Sequence, residues 1–118
     1  MLIHLSNKKR KIIDNAITFE AWENNLLIGL IATYFNDFEN RTGFITNVSI
    51  LPQYHGKGIA KKLLISSLEY GKLLGFIRVK LEVNSDNMPA LNLYLRNGFS
   101  LIKKKGTKLI MERILKNE

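Results

Sequence analysis

Asn47-Val48-Ser49-Ile50-Leu51-Pro52-Gln53-Tyr54-His55-Gly56-Lys57-Gly58-Ile59-Ala60 holds the change of pattern around which the rest of the chain is arranged. An apolar strand stops at Pro52, a basic loop carrying two glycines follows, and an amphipathic pattern begins at once. That order sets the unpaired N–H groups of a helix N-terminus just beyond a strand end, where they make an anion site.

Downstream of this turn, Ala60, Leu63, Leu64, Ser67, Leu68, Gly71 and Leu74 recur at three- and four-residue spacing, and Gly75 supplies a stop. Phe76 to Val83 then alternates, with Ile77, Val79, Leu81 and Val83 on one side and Arg78, Lys80 and Glu82 on the other. A helix joining these two strands makes a right-handed crossover, so the strands are expected to be parallel neighbours. Asn84-Ser85-Asp86-Asn87 reads as turn and cap, and Pro89 suits a first helical turn. Ala90, Leu91, Tyr94 and Leu95 form the next helix face, closed by Gly98. Phe99–Lys103 and Thr107–Leu115, joined by Lys104-Lys105-Gly106, read as a hairpin.

Upstream, Gly43–Leu51 is a strand, Leu26–Phe35 a nearly all-apolar internal one, and Ala16–Trp22 its hairpin partner. Residues 2–15 are polar and basic with irregular apolar spacing, and a short helix is expected there. The expected order is helix, three strands, helix, strand, helix, two strands, in a single domain spanning residues 1–118.

Composition bounds the function. The chain has 118 residues, 46% hydrophobic and 24% charged, ordinary values for a folded domain. With no cysteine there is neither a disulfide framework nor a thiolate zinc site, and no metal is expected. No apolar run approaches the roughly 20 residues that span a bilayer, and the N-terminus lacks the apolar stretch of a signal peptide, so a cytoplasmic protein is expected. The net charge of +8 gathers at Lys8-Lys9-Arg10-Lys11, Lys61-Lys62 and Lys103-Lys104-Lys105. Such clusters suit nucleic acid, a polyanionic cofactor, or a solvated surface. No aromatic is interleaved with them as a single-stranded nucleic-acid platform requires, which ranks nucleic acid last.

Three glycine loops compete at the deciding stretch. The nucleotide pattern G-x-x-x-x-G-K-[ST] fails, because Leu51 stands at its first glycine and Gly58 at its Ser/Thr. The dinucleotide pattern G-x-G-x-x-G fails at Lys61. The third pattern, [RQ]-x-x-G-x-[GA], is that of the GNAT family of N-acetyltransferases. Val48–Ala60 resembles that family's strand-loop-helix, with Gly58 and Ala60 in the small positions and His55 at the Arg/Gln place. A second block, Asn87-x-x-Ala90-x-x-Leu93-Tyr94-x-x-x-Gly98-Phe99, is similar to the family's N-x-x-A-x-x-L-Y-x-x-x-G-F helix. The resemblance covers about Leu26 to Leu115.

The resemblance implies an α/β (α+β) fold with a mixed, mostly antiparallel sheet and a splayed parallel strand pair, here shortened at the N-terminus. It also implies direct transfer of an acetyl group from bound acetyl-CoA to an amine in a ternary complex. Val48, Ser49 and Ile50 then offer backbone groups to the pantetheine, and the Ile50 N–H polarises the thioester carbonyl. His55, Gly56, Lys57, Gly58, Ile59, Ala60 and Lys61 hold the pyrophosphate, the glycines allowing close approach. Asn87 serves the pantetheine, caps the second helix, or both. Tyr94 protonates the departing thiolate; without that role it is an amphipathic helix tyrosine. Glu82 is the candidate general base, against a default reading as a salt-bridged surface carboxylate; Asp37, Glu39 and a water chain are alternatives.

Family members usually begin with a strand and one or two helices that wall the acceptor cleft. Only about 16 residues precede the first sheet strand here, so that strand and helix are expected to be absent. The uncovered apolar surface implies a homodimer in which a second copy fills the gap. A catalytically silent CoA-binding or interaction module is the alternative function, and an RNA-binding role ranks third. The acceptor is unreadable from the sequence.

Overall fold

The computed structural model describes residues 3–10 and 16–115. Its strands are β1 (His4–Arg10), β2 (Ala16–Glu23), β3 (Leu26–Asp37), β4 (Thr42–Ile50), β5 (Arg78–Asn84), β6 (Ser100–Lys105) and β7 (Lys108–Ile114). Helix α1 (Ile59–Leu73) joins β4 to β5, and α2 (Met88–Arg96) joins β5 to β6. All seven strands form one sheet in the order β1-β2-β3-β4-β5-β7-β6. Every pairing is antiparallel except β4 with β5.

The helix expected over residues 2–15 is corrected where it can be checked. Residues 4–10 are a strand paired along its whole length with β2, from His4↔Trp22 to Arg10↔Ala16. The initial strand is therefore present, and residues 11–15 lie outside the described residues. Leu5 is the only large apolar residue of β1, so no period betrays it. Its backbone pairing with β2 supplies what its side chains do not, and Lys8 and Lys9 suit an edge strand that must not recruit another. The remaining elements fall within a few residues of expectation.

The strand periods put Ile17, Phe19 and Ala21 of β2, and Gly29, Ile31, Thr33 and Phe35 of β3, on the face that receives α1. Helix α1 buries Ile59, Leu63, Leu64, Ser67, Leu68 and Gly71, the i, i+4 stripe of its sequence. Two close approaches seat it. A Cβ at Gly29 would lie 2.8 Å from Ile50 Cδ1 and 3.2 Å from Ile59 Cγ2, so this glycine lets the end of β4 and the start of α1 close onto β3. The Phe35 ring fills the space left at Gly43 and Gly71. The buried Thr33 and Ser67 hydroxyls share a 3.0 Å hydrogen bond, so neither is left unsatisfied.

Helix α2 packs on the same side, since Tyr94 joins the core cluster that holds Val83, Phe99, Leu109 and Met111. Among the described residues no helix covers the other face. There the outer half of the sheet exposes Phe44 (40% accessible) and Ile114 (51%).

Candidate active site

The site begins where the parallel pair stops pairing. β4 and β5 are in register only from Thr42↔Arg78 to Ile45↔Leu81, yet β4 runs on to Ile50 and β5 to Asn84. A bulge marks the departure. Ile45 pairs with Thr33 and Asn47 with Ala32, which leaves Thr46 as the extra residue and bends β4 away from β5.

Beyond the bulge, ladder alternation decides which backbone groups are free. Leu51 N–H donates to Ile28 O at 2.9 Å, so Gly29↔Ile50 and Ile31↔Val48 are non-hydrogen-bonded pairs. The N–H and C=O groups of Val48 and Ile50 therefore point away from β3 into the gap. Those of Ser49 point toward Leu30, and its hydroxyl bonds Asn47 Oδ1 at 2.6 Å. Ser49 faces away from the gap. One freed carbonyl is taken locally: His55 Nε2–H donates to Ile50 O at 3.0 Å. A carbonyl only accepts, so this bond places the imidazole proton on Nε2.

The loop then turns through two left-handed residues, Gly56 and Gly58, each at φ 77°. A Cβ at either would touch nothing within 4 Å, so backbone conformation, and not crowding, demands glycine. Gly58 caps α1 without a side-chain hydrogen bond, and the first turn carries no acidic residue. The first-turn N–H groups of α1, with the positive end of its dipole, are left for an anion. Tyr54 anchors the turn before the loop, its hydroxyl donating to the Glu23 carboxylate at the end of β2. That carboxylate raises the Tyr54 phenol above its usual range.

The gap opens into a cavity of about 910 Å³ between the β4–α1 loop and α2. It brings together Val48, Ile50, His55, Gly56, Gly58, Ile59, Ala60 and Lys61 from one side with Glu82, Asn87 and Tyr94 from the other. Ser49 and Lys57 do not line it. Asp37 and Glu39 lie at the β3–β4 turn, the end of the sheet opposite the loop. Asp37 is engaged there by Asn40, whose side-chain and backbone N–H groups hold its carboxyl below the usual range.

Tyr94 is only 5% exposed, with its ring 5.6 Å from that of Phe99. Its hydroxyl has no hydrogen-bond partner among the described residues and opens on the cavity. Burial pushes its phenol above the ordinary value, which keeps the proton on at neutral pH. Asn87 caps α2, its Oδ1 accepting from Ala90 N–H at 3.3 Å, and lines the cavity as well. Glu82 is exposed and has no ion-pair partner among the described residues; Arg78 pairs with Glu112 instead, at 3.8 Å. Arg96, Asn97 and Lys108 also line the cavity and were not singled out in the sequence. Arg96 and Asn97 stand in the unspecified places between Tyr94 and Gly98, and Lys108 depends on how β7 pairs.

A splayed parallel pair, a glycine loop at a helix N-terminus and a tyrosine facing the gap define an acyl-CoA-binding acyltransferase fold. The chain belongs to the acetyltransferase (GNAT) family, whose model matches residues 4–99. It is 34% identical over 89 residues to N-alpha-acetyltransferase 30 of Schizosaccharomyces pombe, a match covering 74% of this chain and 59% of that one. Among solved structures it is similar to the PaiA N-acetyltransferase of Thermoplasma acidophilum in complex with coenzyme A. That likeness has a TM-score of 0.76 and 26% identity, over 82% of this chain and 59% of the other. The ribosomal-protein-S18-alanine N-acetyltransferase of Escherichia coli shares the fold over 99% of this chain and 96% of its own, with a TM-score of 0.84 at 15% identity.

Proposed function

We propose that the chain is an acetyl-CoA-dependent N-acetyltransferase, in which a primary amine attacks the thioester directly in a ternary complex. The observation that carries this reading is the convergence on one cavity of the α1 N-terminus, the freed peptide groups of Val48 and Ile50, and the Tyr94 hydroxyl. The solved relative from Thermoplasma acidophilum holds coenzyme A, which supports acetyl-CoA as cosubstrate.

In this account the first turn of α1, with Gly56, Gly58 and Lys61, binds the pyrophosphate. Val48 and Ile50 offer their free backbone groups to the arm of the cosubstrate, and an N–H from this pair faces the thioester oxygen as negative charge grows there. His55 holds the Ile50 peptide in place through its carbonyl. The neutral amine nitrogen bonds to the acetyl carbon, and Glu82 takes the amine proton, directly or through a water. The C–S bond breaks, and the leaving thiolate takes the Tyr94 proton. Lys57 reaches phosphate only from the loop exterior, and Ser49 acts through the ladder with β3.

Incubation with acetyl-CoA and a panel of amines tests the proposal, following thermal stabilisation and free thiol together. Stabilisation with thiol release at a rate set by the amine supports it. Stabilisation with no release for any amine favours the silent CoA-binding module.

A further inference from the structure

We propose that the acceptor is an amine carrying carboxylates, as a peptide with acidic residues next to its amino terminus does. We place it on the face that no helix covers among the described residues, along a row formed by Lys103, Lys105 and Lys108. The inference rests on the acetyl-transfer reading and adds the class of acceptor.

The donor side of the cavity is walled by α1 and α2, so a second substrate has the opposite face for its approach. Glu82 lines the cavity yet belongs to the face of β5 away from α1 and α2, since its neighbours Leu81 and Val83 are buried on the other. The gap therefore opens through the sheet. Register places the lysines beside that opening: Glu82 pairs with Ile110, Ile110 with Lys103, Asn84 with Lys108, and Lys108 with Lys105. Residues directly opposite in an antiparallel pair share a face, so all three lysines lie on the Glu82 side. Lys103 and Lys105 stand two strand spacings from β5, roughly 10 Å.

Two features set this row apart from ordinary surface charge. Lys105 and Lys108 are like charges directly opposite one another, an arrangement that destabilises a hairpin. A local rule broken without compensation points to function. Edge protection explains lysines on β6, but β7 is internal to the sheet, between β5 and β6, and Lys108 needs no such reason. None of the three has an ion-pair partner among the described residues. Such a row repels a small cationic amine, whereas an acceptor whose carboxylates reach it is drawn in and held in register. An extended chain advances about 3.3 Å per residue, so side chains at the second to fourth positions span the distance.

The test compares synthetic peptides that share one N-terminal residue and carry either aspartate or lysine at positions two to four. The expected result is at least a tenfold higher kcat/KM for the acidic peptide at low salt, shrinking as salt is raised. The double substitution Lys103→Ser and Lys105→Ser removes the preference and leaves the KM for acetyl-CoA unchanged. Equal rates for the two peptides, or a preference that survives the double substitution, overturn the proposal. Calorimetric binding of the same peptides to CoA-saturated protein separates the two ideas. Lysine-dependent binding of the acidic peptide without turnover supports the surface and removes the transferase reading; binding without charge preference overturns the surface whatever the turnover. A single-stranded oligonucleotide that binds the row more tightly than the acidic peptide also overturns it, in favour of nucleic acid.

Discussion

Tyr94 presents its hydroxyl to the cavity from a nearly buried ring, and burial raises its pKa. Replacing it with phenylalanine keeps the packing against Phe99 and removes only the hydroxyl. We expect kcat to fall by about 100-fold or more, the scale of a general acid, with the KM for acetyl-CoA nearly unchanged. Unchanged turnover would remove the acid role. The raised pKa also has a sign: the phenol is competent below its folded pKa, so its loss appears only as pH rises past the ordinary tyrosine value near 10. Glu82 is the proposed base, and Glu82→Gln keeps the side chain's shape while removing its ability to take the amine proton. Its kcat at fixed neutral pH is expected to fall by about 100-fold, and unchanged turnover excludes the carboxylate. The motif made Tyr94, Asn87 and Gly58 legible as residues. It could not show that Ser49 turns toward β3, because the phase of ladder pairing depends on the Thr46 bulge, which no residue type announces.

The β4–loop–α1 element depends on two glycines for different reasons. Gly58 holds φ at 77° in open space, so Gly58→Ala meets no clash and costs about 1 kcal/mol of backbone strain. The expected readout is a weaker thermal shift with CoA, because the strain is relieved by turning the loop's N–H groups off the anion. A shift equal to that of the unsubstituted protein would separate the loop from phosphate. Gly29→Ala instead drives a methyl toward Ile50 and Ile59 and is expected to destabilise the fold by roughly 1–3 kcal/mol in chemical denaturation. Glycine loops and amphipathic periods are local signals, which is why this element, α2 and the β6–β7 hairpin were readable in sequence. Gly29 was not, because its meaning comes from two elements that approach it from distant parts of the chain. β1 was misread for the same reason: its strand character resides in the partner, β2.

Both helices lie on one face of the sheet, and among the described residues the outer half of the other face is left open. Phe44 and Ile114 mark the lower part of that open area, and we propose that a second copy of the chain covers it. Ile114 lies four residues along β7 from Ile110, about 13 Å, so such a contact leaves the lysine row clear. A homodimer is expected by light scattering at micromolar concentration, and a monomer there would count against it. In the proposed complex acetyl-CoA lies in the gap between β4 and β5 with its phosphates on the α1 N-terminus. Amide chemical-shift mapping during titration with CoA reads out that placement. The largest shifts are expected at Val48, Ile50 and Gly56 through Lys61, with smaller ones along the Asn87–Tyr94 face. Binding that leaves those amides unmoved and shifts another surface would contradict it.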